Sequence, residues 1–163
     1  MAGGILTIDL AALTANWKLL AARAGEARCA AVVKADAYGL GMVPVARALW
    51  QAGCRTFFVA LPHEGAALRA VLPDAVIFVL GGLQGGTAPF HREHGLRPVL
   101  SSLPEVAEWA AFCRRAERRL PAGLHVDTGM NRLGVTEDEA RRVASDRDLL
   151  GACRLELVMS HLA

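Results

Sequence analysis

Ala30-Ala31-Val32-Val33-Lys34-Ala35-Asp36-Ala37-Tyr38-Gly39-Leu40-Gly41 runs small apolar residues into a lysine, then into a glycine-rich polar turn with one aromatic. The apolar run predicts a buried strand over Cys29 to Val33 that delivers Lys34 at its end. Such a lysine differs from one on a solvated helix face. Desolvation pushes an ammonium toward the neutral amine, and a neutral amine can attack a carbonyl carbon to form a Schiff base. The competing reading is a strand-end lysine whose stem packs on apolar surface while its head reaches water.

Outward from this stretch, strand and helix signals alternate. Ile5 to Ile8 reads as a short extended stretch, and Asp9 as the N-cap of a helix carrying Leu10, Leu13, Trp17 and Leu20 at helical spacing, closed by Gly25. A second helix carries Val43, Ala46, Leu49 and Trp50 and stops at Gly53. Strands follow at Thr56 to Leu61, Ala75 to Leu80, Arg97 to Leu100, Ala122 to Val126 and Leu155 to Met159. Helices are expected at Glu64 to Leu72, Pro89 to His94, from Ser102 to about Arg119, and from Thr136 to about Ser145. Ser102 with Glu105, and Thr136 with Glu139, have the form of capping boxes. Strands apolar nearly throughout are expected to be covered on both faces, in a parallel sheet of about six strands that suits a barrel or an open sheet. Gly81 to Gly86 reads as a loop, because it lacks the order and ending of a phosphate-binding glycine motif.

Composition bounds the function classes. Of 163 residues, 53% are hydrophobic and 21% charged, which excludes a disordered segment and supports one domain. A net charge of +2 with scattered basic residues argues against nucleic acid; the densest cluster, Arg114-Arg115 with Arg118-Arg119, reads as a solvated helix face. Cys29, Cys54, Cys113 and Cys153 form no paired motif and read as small buried hydrophobes of a reduced, cytoplasmic protein. No leader or long apolar run suggests export or membrane insertion. His91 and His94 lack a third ligand for a metal.

In parallel α/β architectures, sites gather at the C-terminal ends of strands. Three polar groups fall there: Lys34 with Asp36 and Tyr38, Asp127 to Arg132, and Ser160-His161. Each has an ordinary reading. Asp127 could organise a turn, Arg132 could lie on the surface, and His161 could be a core histidine.

The stretch from Val33 to Gly41 resembles the pyridoxal-phosphate lysine signature of alanine racemases. Related amino-acid decarboxylases share the lysine but not the Ala-Tyr-Gly-x-Gly continuation. Ile8-Asp9-Leu10 with Leu13 and Asn16 resembles the family's opening, and His125-Val126-Asp127-Thr128-Gly129-Met130-Asn131-Arg132-Leu133-Gly134 its second signature. Met159-Ser160-His161-Leu162-Ala163 resembles the segment with its active-site histidine. The resemblance implies an incomplete (β/α)8 TIM-like barrel and the cofactor pyridoxal 5'-phosphate. It implies that Lys34 holds the cofactor and serves as one of two bases at Cα, and that Tyr38 bonds near the phosphate. Arg132 would contact the cofactor's phenolic oxygen and the substrate carboxylate, and His161 would pack on the pyridine ring. The implied activity is interconversion of L-alanine and D-alanine for peptidoglycan, in a cytoplasmic homodimer acting on a small amino acid. Two alternatives stand beside it: a non-catalytic pyridoxal-phosphate barrel, which would keep the lysine but is opposed by the Tyr38 continuation and the second signature, and a serine or broad-specificity racemase, which shares these signatures.

Two departures from the family pattern stand out. Many members carry a lysine two residues before the aspartate of the second signature, whose carbamate positions the arginine; here that place is His125. Members also run to more than twice this length, adding the rest of the barrel and a β-rich domain with the opposite tyrosine base. Residues 1–163 are therefore expected to be the N-terminal part of the barrel domain, with the C-terminal β domain absent and the chain inactive alone. Tyr38 is the only tyrosine present.

Overall fold

The computed structural model describes residues 3–162. Six parallel strands lie side by side in sequence order: β1 (Ala31–Val32), β2 (Thr56–Val59), β3 (Val76–Val79), β4 (Arg97–Leu100), β5 (Pro121–His125) and β6 (Arg154–Met159). Parallel neighbours need crossovers, and helices supply them. Helix α1 (Leu10–Arg23) precedes β1, and the crossovers are α2 (Lys34–Tyr38), α3 (Met42–Ala52), α4 (Pro62–Val71), α5 (Ala88–Glu93), α6 (Leu103–Arg115), α7 (Glu137–Ser145) and α8 (Arg147–Ala152). This is the α/β barrel order that the sequence implies, with β1 and β6 each having one neighbour among the described residues.

Alternation along the strands sorts the two faces of the sheet. Phe57, Val59, Ile77 and Val79 are fully buried against Val45 and Leu49 of α3 and Leu68 of α4. A second cluster centres on Trp109 of α6, with Leu100, Leu124 and Val143. Each such side chain contributes about 1.5–3 kcal/mol through burial. The other face is not covered as expected. Thr56, Phe58, Val76 and Phe78 line a hollow of about 680 Å³ on the inner side of the sheet. Phe58 stacks on Phe78 at 5.2 Å, and the Arg97 guanidinium lies 5.5 Å from the Phe78 ring centre while pairing with Glu156. Six strands curve round this space without filling it, so β6 is only half-buried and Val158 is 66% exposed.

Local differences from the sequence reading have local causes. Residues 5–8 form no strand, and Ile5 is 94% exposed. Asp9 does cap α1, accepting from the Ala11 and Ala12 amides at 2.9 Å each, which contributes about 1 kcal/mol. Helix α6 ends at Arg115, short of Arg119, as Glu117 turns to φ 49°. Arg118 and Arg119 thus lie beyond the helix, and the Arg119 guanidinium caps α8 by donating to the Leu150 and Cys153 carbonyls. Helix α8, absent from the sequence reading, starts at Asp146, whose carboxylate accepts from the Asp148 and Leu149 amides. Ser102 accepts from the Glu105 amide, but Glu105 returns its carboxylate to the Ser101 amide, so only half of that capping box forms. Thr136 and Glu139 form both halves. Three cysteines are buried thiols; Cys29 is only half-buried.

Candidate active site

Five strand ends open onto one cavity of about 300 Å³ at the C-terminal rim. Lys34 reaches it from beyond β1, Ala60 and Leu61 from β2, Leu80 and Gly81 from β3, His125, Arg132 and Leu133 from β5 and its loop, and Met159 and His161 from β6. Lys34, Arg132 and His161, singled out on separate strand ends, therefore share one wall. Tyr38 does not line the cavity. It is 65% exposed, with its ring centre 5.9 Å from Lys34 Nζ. Gly81 sits so close to β2 that a Cβ there would stand 2.6 Å from the Ala60 carbonyl oxygen. No carboxylate lines the cavity, and a lysine, an arginine and two imidazoles do.

Lys34 does not end its strand. β1 stops at Val32, and Lys34 opens a turn of the wrong hand. Ala35, Asp36, Ala37 and Tyr38 have φ of 50°, 52°, 53° and 57°. For L-residues each such position costs on the order of 1–2 kcal/mol, so the surroundings must hold the turn. The Ala37 amide donates to the Val33 carbonyl at 2.9 Å, and Ala37 itself is buried. Asp36 Oδ1 accepts from the Met42 amide at 2.6 Å, at the start of α3. Glu64 Oε1 accepts from the Ala35 amide at 2.7 Å. Glu64 is not among the residues that the sequence singles out as functional. The signal that marks it is a glutamate three residues into a helix with proline in the first turn, the same signal that stands at Glu105.

Arg132 is presented by a self-closing loop. Asp127 accepts from the Gly129 and Asn131 amides at 3.0 and 3.1 Å, and these bonds hold its carboxyl below the usual carboxylate range. The turn role considered for Asp127 is thus the one it fills. The Asp127 amide donates to the Val135 carbonyl, and the Val135 amide to the His125 carbonyl, which zips the loop shut behind Arg132. Thr128 and Ser160 share a hydrogen bond of 2.5 Å, which ties this loop to the segment bearing His161.

His125 is buried at the end of β5. Burial pushes its imidazole down from the ordinary value; Asp127 opposes this, while His161 and Arg132 add to it. His91, in α5, is fully buried with its ring near the edge of Trp109. Its Nδ1–H donates to the Thr87 carbonyl at 3.0 Å, and burial pushes this ring down as well. Unfolded, both rings titrate near about 6.5. The unfolded chain therefore takes up protons first, and stability falls as pH drops below about 6.5 until the folded rings titrate. Replacing His91 by glutamine is expected to flatten this slope, measured as the urea midpoint between about pH 7 and about pH 5; an unchanged slope would assign the titration elsewhere.

The fold and rim define a class: a parallel β/α barrel whose first loop carries a lysine facing an arginine and two histidines. The family model for the N-terminal domain of alanine racemase matches residues 8–163, and the chain belongs to that family. It is 60% identical over 160 residues to the alanine racemase of Methylobacterium nodulans, covering 98% of this chain and 43% of that one. The chain thus spans less than half the length of the curated relatives it matches. Among solved structures, the alanine racemase of Bartonella henselae with covalently bound pyridoxal phosphate superposes with TM-score 0.91 at 39% identity, covering 96% of this chain and 46% of the other. A histidine racemase from Leuconostoc mesenteroides superposes with TM-score 0.82 at 25% identity, covering 94% and 42%. No helix among the described residues is long and apolar enough to cross a membrane.

Proposed function

We propose that this chain supplies the lysine-bearing side of a pyridoxal-phosphate-dependent racemase that interconverts L-alanine and D-alanine. The observation that carries this reading is the cavity itself: Lys34, Arg132, His125 and His161 line it and no carboxylate does. Such a lining fits a ligand with a phosphate, a phenolic oxygen and an amino-acid carboxylate. Bound there, pyridoxal phosphate supplies the electron sink that lets an amino acid's Cα–H bond ionise.

The residues of this chain do the rest. Lys34 would hold the cofactor through its amine and, as a free amine, would take or return the Cα proton on one face. Arg132 offers a planar guanidinium to the phenolic oxygen and the substrate carboxylate. His161 would lie beside the pyridine, and Tyr38, beside Lys34 but outside the cavity lining, would meet the phosphate only where that group extends past the lining. His125 stands where a carbamate-bearing lysine would stand, so Arg132 is oriented here by its zipped loop. Inversion needs a second base on the opposite face. We assign that base to the partner subunit in a homodimer of the full-length protein, of whose relatives these residues span less than half; the proposed location is the cytoplasm, where its D-alanine would feed peptidoglycan.

The reading is tested with the full gene product, pyridoxal phosphate and L-alanine in deuterated water. D-Alanine should accumulate with deuterium at Cα. Cofactor binding without any Cα exchange would instead support a non-catalytic barrel. A preference for histidine or serine over alanine would move the substrate and leave the reaction in place.

A further inference from the structure

We infer that Glu64 is a positioning residue for Lys34, clamping the two sides of the rim between which the lysine emerges. This rests on the reading of Lys34 as the cofactor lysine. The Glu64 carboxylate accepts three backbone amides. Oε2 takes Ala60 at 2.7 Å and Leu61 at 3.0 Å, both on the wall of the cavity. Oε1 takes Ala35 at 2.7 Å, twenty-nine residues earlier in the chain. The Ala35 amide and the Lys34 carbonyl belong to one planar peptide group. Holding that amide therefore fixes the plane from which the Lys34 side chain departs. Hydrogen bonds to an ionised acceptor are shorter and about twice as strong as neutral ones, which suits a group that must hold a strained turn in place.

Glu105 provides an internal comparison. It occupies the same place in α6 and does the same work one unit pair later, accepting from Ser101 at 2.9 Å and from Leu83 at 3.2 Å. There the positive φ falls on Gly82, at 73°, where no Cβ is strained. At Lys34 the left-handed residues are alanine, aspartate and tyrosine, so the turn depends on its tether. The lysine loop is the one that needs the carboxylate. The amides Glu64 holds, at Ala60 and Leu61, belong to residues of the cavity wall, whereas Ser101 and Leu83 do not.

The test uses the full gene product as Glu64→Gln and Glu105→Gln. In Glu64→Gln the amide oxygen can keep Ala60 and Leu61, so the amide nitrogen faces the Ala35 N–H and donor meets donor. The apparent Kd for pyridoxal phosphate is expected to rise about tenfold, with a displaced pH midpoint of the bound cofactor's visible absorbance and a lowered urea midpoint of the apoprotein. In Glu105→Gln the amide oxygen can keep both Ser101 and Leu83, which donate to the same carboxylate oxygen, so Kd and absorbance should stay at the wild-type values and the urea midpoint should fall less than in Glu64→Gln. Adding Ala35→Gly, which accepts the left-handed turn without strain, should recover part of the lost affinity; it also serves as the background if Glu64→Gln alone does not fold. Wild-type Kd and absorbance in Glu64→Gln, equal Kd shifts in both variants, or no recovery with Ala35→Gly would each overturn the inference. Borohydride reduction of the wild type separates the two claims. Label away from Lys34 removes the lysine reading and this inference together, whereas label on Lys34 with an unaltered Glu64→Gln removes this inference alone.

Discussion

Replacing Lys34 by alanine in the full gene product is expected to lower alanine racemisation by roughly 10²–10⁴-fold and to abolish covalent cofactor attachment. The size follows from two roles vested in one amine. The group that anchors the cofactor also moves the Cα proton on its face of the substrate, and no other primary amine lines the cavity. Lys34→Arg sharpens the experiment. A guanidinium keeps the positive charge and the apolar stem but stays protonated and does not attack carbonyl carbon. If Lys34 only packed its stem and showed its head to water, arginine would serve nearly as well. Arginine is expected to be as inactive as alanine, with the visible absorbance of the bound cofactor lost in both. Substantial activity in Lys34→Arg would restore the packing interpretation.

Gly134→Ala is expected to cost about 3 kcal/mol or more and to remove Arg132 from the site. Gly134 has φ 116°, outside the range that alanine tolerates. A Cβ there would also stand 2.6 Å from the Asp127 amide nitrogen and 3.0 Å from the Val126 carbonyl carbon. Those atoms are backbone and belong to the zipper that closes the loop, so no flexible side chain can yield. The loop must open, and the Asp127 bonds to Gly129 and Asn131 with it. The expected result is a lower urea midpoint together with a raised KM for alanine. A variant with wild-type midpoint and KM would show that Arg132 does not depend on the loop's closure. By contrast, a Cβ added at Gly129, whose φ is 136°, would meet nothing within 4 Å, so strain alone would act there.

Much of this architecture can be read from residue patterns. Thr56 to Val59 and Val76 to Val79 are β-branched and aromatic runs bounded by glycine or proline, and such runs have few alternatives to a central strand. Asp9, Gly53 and Thr136 each carry the chemistry of a helix end, which is local and so legible. The inner face of the sheet was not legible, because a buried strand and a strand facing a hollow share the same apolar letters. Alternation only emerges once Phe57 is found against α3 and Phe58 against Phe78. The convergence of Lys34, Arg132 and His161 followed from their places at strand ends, and the resemblance to alanine racemases gave them roles. Tyr38 illustrates the limit. Ala-Asp-Ala-Tyr has no intrinsic preference for a left-handed turn. It is held by the Met42 amide bonding to Asp36, by the burial of Ala37 and by Glu64, which stands twenty-nine residues from the amide it accepts. That turn carries the Tyr38 ring to the outside of the cavity.

The most direct measurement is borohydride reduction of the full gene product loaded with pyridoxal phosphate, followed by peptide mapping. The prediction is one reduced phosphopyridoxyl label, on Lys34, within the tryptic peptide that runs from Cys29, just before β1, to Arg47 in α3. A label confined to any other lysine, with Lys34 unmodified, would contradict it.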